Sequence, residues 1–197
     1  MSARILAFTV VATLLTITPG IDMALVTQAA IRGGLGRALT TSAGILTGLF
    51  VWAVAAVAGI AAVLASSATA YTVVKLAGAA FLIYLGLKAL LGGHTDVPTR
   101  GGTPFRQGLI SNLLNPKIAV FYSSVIPQFV VAGDPVFLPA LLAAIHLATG
   151  IVWLPAYSWL VTRVGGVLQR PSVARAFARL TGAVLVGLGV RLAFERR

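Results

Sequence analysis

The chain reads as long apolar stretches separated by short polar ones. The apolar stretches cover about residues 4–30, 39–65, 71–91, 107–131, 136–162 and 180–194. Each is near the roughly 20 residues a helix needs to cross a bilayer. Between them lie Arg32 to Arg37, Ser66-Ser67-Ala68-Thr69, the polar segment 92–104, Gly133-Asp134-Pro135 and the basic connector Arg163 to Arg179. The pattern predicts an all-α integral membrane protein of six transmembrane helices in a single domain, 1–197.

Two stretches are interrupted. Thr18-Pro19-Gly20-Ile21-Asp22 breaks the first and Asn115-Pro116-Lys117 breaks the fourth, with Pro19 and Pro116 97 residues apart, close to half the chain. Three spans in each half make the second half run inverted relative to the first. The expected plan is therefore two inverted three-helix repeats, about 1–91 and 105–197, joined by a linker at about 92–104. Helices 1 and 4 are broken at Pro19 and Pro116. Irregular backbone at membrane depth is tolerated only where protein or a water-filled cavity surrounds it. Breaks at corresponding places in two halves point to a transporter's binding site.

Composition supports a membrane protein. Of 197 residues 58% are hydrophobic and only 10% charged, against about 25% charged in ordinary soluble domains. Mean hydropathy is +0.98. The net charge of +11 comes from Arg and Lys beside the apolar stretches, without the compact basic footprint of a nucleic-acid-binding domain. Loops after the first, third and fifth spans hold nine of these residues, from Arg32 to Arg179, against four (Arg4, Arg191, Arg196 and Arg197) on the other side. The positive-inside rule then places the basic loops in the cytoplasm and both termini outside. The first stretch lacks a small-x-small cleavage site, so it is expected to stay as a span. The absence of cysteine excludes disulfides, thiol catalysis and cysteine-ligated metals.

Asp22 is the only acid well inside a span. A carboxylate at a helix centre costs about 2.5–3.5 kcal/mol on insertion scales, and such residues commonly mark a substrate or proton path. The plainer alternative is an acid favouring the first turn of a new half-helix. Thr18 and Asn115 read as N-caps, with Pro19 and Pro116 at the first helical position. Each half-helix start would then offer backbone N–H groups to a carboxylate, unless the breaks are only kinks. Lys117 is suited to pairing with Asp22, to a substrate carboxylate, or to snorkelling. His146 fits either proton relay or packing. Ser111, Asn112 and Gln28 are candidate polar lining. Gly44-x-x-x-Gly48 and Ala55-x-x-x-Gly59 are small-residue stripes for close helix packing, and they permit a homodimer. No H-E-x-x-H, paired intramembrane carboxylates or phosphate loop occurs, so neither metal nor cofactor is expected.

Several segments resemble the lysine exporter (LysE) superfamily, in its RhtB-type homoserine/threonine/leucine efflux branch. They are Thr18-Pro19-Gly20 with Asp22, the run from Lys75 to Gly86, Asn112-Leu113-Leu114-Asn115-Pro116-Lys117 and Pro127-Gln128-Phe129. Many members carry a second proline where this chain has Ile21. The resemblance implies a multi-pass exporter of amino acids or derivatives in the bacterial inner membrane, driven by proton exchange. Transport would proceed by alternating access around a mid-membrane site. Lys117 and a half-helix start would take the substrate carboxylate, and Asp22 its amino group or a proton. The opposite signs of Asp22 and Lys117 favour a zwitterion over a simple ion. The competing readings are an intramembrane enzyme using Asp22 and His146, and a passive channel or structural membrane subunit.

Overall fold

The computed structural model describes residues 2–66, 102–131 and 134–168. It also describes single positions between them and after them, among which Leu76, Ala80, Ile83, Tyr84, Leu87, Leu90, Ala176, Arg179, Ala183, Val186, Gly187 and Val190 are helical. The expected third and sixth spans and most of the linker lie outside this set. Among the described residues every regular element is a helix.

Helix α1, Ser2–Ile17, is apolar and buries Phe8, Ala12 and Leu15, a spacing of four and three that marks one helical face. Leu6, Val10 and Leu14 on its other side are exposed, as expected of a lipid-facing surface. Pro19 ends α1. It has no amide hydrogen to bond Leu15 four residues back, and it pushes Thr18 out of helical conformation. The chain resumes as α2, Ile21–Ser66, which is interrupted at Gly33 and Gly34. Gly34 has φ +65°, a left-handed conformation that only glycine adopts without strain. The expected basic turn at Arg32 to Arg37 thus exists as a break between two helical segments.

The second break repeats the theme with different chemistry. Helix α3, Pro104–Leu113, is capped by Thr103. It is followed by α4, Pro116–Val120, a π-helical turn at Phe121–Val125 and the short α5, Ile126–Gln128. The two arms are bent by 46° at the break. Helix α6, Leu138–Leu168, corresponds to the fifth expected span.

The segments 21–59 and 138–164 are each long and apolar enough to cross a membrane, and the bent pair around Pro116 makes a third candidate. Helix α2 lies between α3 and α6. Its contact with α3 is backbone against backbone. A Cβ at Gly44 would run into the Phe105 carbonyl, and one at Gly108 would run into the Thr41 carbonyl. A Cβ at Gly48 would fall 2.8 Å from Asn112 Oδ1. The Gly44-x-x-x-Gly48 stripe therefore packs α3 within one chain, whereas Ala55 and Gly59 remain exposed. Hydroxyls join α2 to α6, with Thr27 Oγ1 2.8 Å from Tyr157 OH and Ser42 Oγ 3.0 Å from Ser158 Oγ.

Candidate functional site

The two breaks meet inside the bundle and hold each other crosswise. Asp22, in the first turn of α2, accepts hydrogen bonds only from the second break: Ser111 Oγ at 2.9 Å, Asn112 Nδ2 at 2.8 Å and Asn115 Nδ2 at 3.0 Å. Ser111 and Asn112 can each join Asn115 at one carboxylate because offsets of four and three residues place them on the same side of a helix end. The glycine contacts between α2 and α3 set the approach that makes these bonds possible.

Lys117 does the converse. Its Nζ donates to the Leu15 carbonyl at 2.8 Å and the Thr18 carbonyl at 2.9 Å. Leu15 is the residue whose helical donor Pro19 removed, so the lysine supplies the missing hydrogen. A cation at the carbonyl end of α1 also meets the favourable end of its dipole. Asp22 and Lys117 do not form an ion pair. Opposite charges sit close to one another, each bound to neutral groups of the other break.

The caps differ from the sequence expectation at the first break. Asn115 is an N-cap, its Oδ1 accepting from Lys117 N at 3.0 Å with Pro116 at the start of α4. Thr18 is not a cap. Its amide closes the end of α1 onto Leu14, and Gly20 supplies the carbonyl that accepts the first bond of α2, from Ala24 at 3.0 Å. The steric demand of Pro19 on its predecessor and the freedom of Gly20 move the start of α2 two residues on. At the second break the Asn115 carbonyl and side chain already serve the amides of residues 117 to 119. An open pair of half-helix starts facing a carboxylate is therefore not what these residues build. The charged side chains carry the polarity instead.

Between the breaks lies a cavity of about 40 Å³, room for a few water molecules. Leu15, Thr18, Gly20 and Asp22 line it from the first break, and Asn112, Asn115 and Lys117 from the second. His146, Gly150 and Leu154 of α6 face Ile45 and Leu49 of α2 across the remainder. Pro19 and Pro116 shape the breaks without lining the cavity, and Gln28 lies away from it. The apolar wall and the carbonyls of Leu15 and Thr18 escape sequence reasoning, since main-chain atoms carry no sequence signature. The spacing of residues 146, 150 and 154 was the available clue to the wall.

A second polar cluster lies at the beginning of α1. Arg4 donates to both oxygens of Asp134, at 2.8 and 2.7 Å, and the Val131 amide adds a third bond at 2.8 Å. The guanidinium and this amide hold the Asp134 carboxyl down at about 2, against an ordinary 3.8.

Residues 13–196 match the family of LysE type translocators. The chain belongs to the LysE-type translocator family. An uncharacterized membrane protein, YrhP, of Bacillus subtilis is 30% identical over 95% of this chain and 97% of its own length. The homoserine/homoserine lactone efflux protein of Salmonella typhimurium is 28% identical over 96% of each. The threonine efflux protein of Escherichia coli is 27% identical over 91% of this chain and 92% of its own. No solved structure matches. The resemblance drawn from the motifs holds, and the protein is a membrane translocator, not an enzyme. The intramembrane-enzyme alternative falls with that finding. Asp22 and His146 do line the same cavity, but Asp22 is engaged by the second break.

Proposed function

We propose that this translocator is a secondary-active exporter of amino acids or amino-acid derivatives, coupled to protons, alternating access around its two broken helices. The observation that carries the reading is the pair of opposite charges held crosswise beside one cavity. A zwitterion matches it, with the amino group at Asp22 and the carboxylate at Lys117. A proton and an amino group then compete for Asp22, which is the exchange an antiporter requires. A space on the scale of a few waters must widen to admit cargo. Widening it parts the same contacts that fasten the breaks, so loading and helix movement are one event. Relatives named for homoserine, homoserine lactone and threonine efflux support small amino acids or their derivatives as cargo.

The full architecture in this reading is six helices in two inverted repeats in the bacterial inner membrane, with both termini outside. A homodimer would use surfaces such as the exposed Ala55-x-x-x-Gly59 stripe. The test is flux in proteoliposomes under an imposed pH gradient. Wild type should concentrate substrate, and Asp22→Asn and Lys117→Ala should each abolish this. Normal gradient-driven transport by both variants would overturn the reading. Conductance that neither saturates nor responds to the gradient would instead establish a channel.

A further inference from the structure

The crosswise charges account for one end of the cavity and leave the α6 wall without a role. His146, Gly150 and Leu154 are four residues apart and so share one face of α6. Ile45 and Leu49, also four apart, face them from α2. A ligand with its amino and carboxylate groups at Asp22 and Lys117 can meet this wall with its side chain.

His146 is the polar member of the wall. It is 1% exposed, and its Nδ1 has no hydrogen-bond partner among the described residues. The Phe121 ring lies 4.3 Å from the imidazole and the Tyr122 ring 5.3 Å, so two neighbouring aromatics fix its orientation. The π-helical turn at Phe121–Val125 is what places these consecutive rings, and such turns recur at functional sites. The Tyr122 hydroxyl, also buried, is without a partner among the described residues. Buried polar groups ordinarily find partners, and an unpaired imidazole on a cavity-lining residue needs an explanation. Gly150 sets the depth: a Cβ there would lie 3.1 Å from Leu49 Cδ2 and 3.3 Å from Leu46 Cδ2. Helices α2 and α6 are therefore in close contact at Gly150, and a side chain reaches His146 only as the cavity widens on loading.

Resting on the exporter reading, we propose that this face of α6 is a side-chain subsite. In it His146 selects substrates whose short side chain ends in a hydrogen-bonding group. Such a group satisfies the imidazole on loading, whereas a methyl in its place leaves the nitrogen buried and unpaired. Sites built to bond a hydroxyl discriminate strongly against analogues that lack it.

Counterflow in proteoliposomes with isosteric pairs, L-homoserine against L-norvaline and L-threonine against L-valine, tests this. Wild type should favour the hydroxylated member by about tenfold or more in kcat/KM. In His146→Leu the ratio should fall to near one, and in His146→Gln, which keeps a hydrogen-bonding end, most of it should return. Equal wild-type rates for the isosteres, or an undiminished ratio in His146→Leu, would overturn the subsite. The wild-type ratio decides the matter even if a variant does not fold. Transport of other amino acids but of neither hydroxylated one also counts against the subsite alone. No counterflow of any amino acid would strike the exporter reading beneath it.

Discussion

The two breaks solve the same problem in different ways. Each contains a proline that removes one helical hydrogen bond at membrane depth. At the second, the bereft carbonyl is Asn112, and it finds donors nearby: Asn115 N at 3.0 Å and Trp52 Nε1 at 3.3 Å. Asn115 also caps the helix that follows. At the first, the carbonyls of Leu15 and Thr18 depend on Lys117, about a hundred residues away in the chain. The second break finds a donor within itself, with Trp52 adding a longer bond, whereas the first is held wholly from outside. A contact that fastens one broken helix through the charge of the other is a natural place to couple substrate binding to movement.

The largest effect should come from preventing the breaks from meeting. Gly108→Val thrusts a side chain into the Thr41 backbone and should cost more than about 3 kcal/mol, since overpacking against main chain leaves nothing flexible to yield. Failure to accumulate in the membrane, or a sharp fall in apparent Tm in detergent, would register it. Gly36→Val, where a Cβ meets nothing within 4 Å among the described residues, is the matched control and should behave as wild type.

The asymmetry itself is broken next. Lys117→Met leaves two buried carbonyls without a donor, at roughly 1–3 kcal/mol each. Trp52→Phe removes one long bond from a carbonyl that keeps another, at about 0.5–1 kcal/mol. Thermal unfolding should rank the two variants in that order. Equal losses would mean that the first break is not held from outside.

The sequence made the breaks legible because proline and a charged residue inside an apolar run are rare and chemically explicit. The bent pair around Pro116 and the segment 138–164 fall close to the fourth and fifth apolar stretches, whereas 21–59 runs across the first and second, with its break at Gly33 and Gly34 between them. The candidate residues Asp22, Asn112, Asn115, Lys117 and His146 do converge on one cavity. What the pattern could not convey was partnership. Thr18 has the side chain of a cap, yet its carbonyl is what Lys117 uses, and backbone atoms are the same for every residue type. Ser111 looked like weak lining until the α2–α3 contact brought it to Asp22. That contact depends on Gly44 and Gly48 of α2 and Gly108 of α3, whose pairing is set by tertiary packing and not by local preference.

Asn115 allows its two duties to be separated. Its Oδ1 caps α4 while its Nδ2 donates to Asp22. Asn115→Ala loses both, with the cap worth about 1 kcal/mol. Asn115→Asp preserves a good cap but puts a second carboxylate against Asp22, where like charges disfavour one another. If the donor to Asp22 matters more than the cap, the aspartate variant is the less stable at pH 7, and acidification should narrow its deficit. A more stable aspartate variant would show that the second break needs its cap above all.

The smallest effect concerns the one ion pair among the described residues, Arg4 with Asp134. It fastens the beginning of α1 to the segment beyond the second break, so the same two broken helices are joined again, here by partly buried opposite charges in place of neutral partners. Asp134→Asn keeps an acceptor for Arg4 and loses the charge. The Asp134 carboxyl is held at about 2 in the folded protein, below its ordinary 3.8, so the charge stabilises the fold fully above about pH 4. That stabilisation is lost as pH falls through about 2. The apparent Tm of wild type should therefore exceed that of Asp134→Asn by a small, constant margin from pH 5 to 7, and the margin should vanish near pH 2. Because Arg4 is partly open to solvent and salt screens such charges in part, high salt should reduce the same margin at neutral pH, while the Lys117→Met deficit, which arises from unmet carbonyls, should persist. A margin insensitive to both acid and salt would mean that Asp134 acts through its turn geometry and not through its charge.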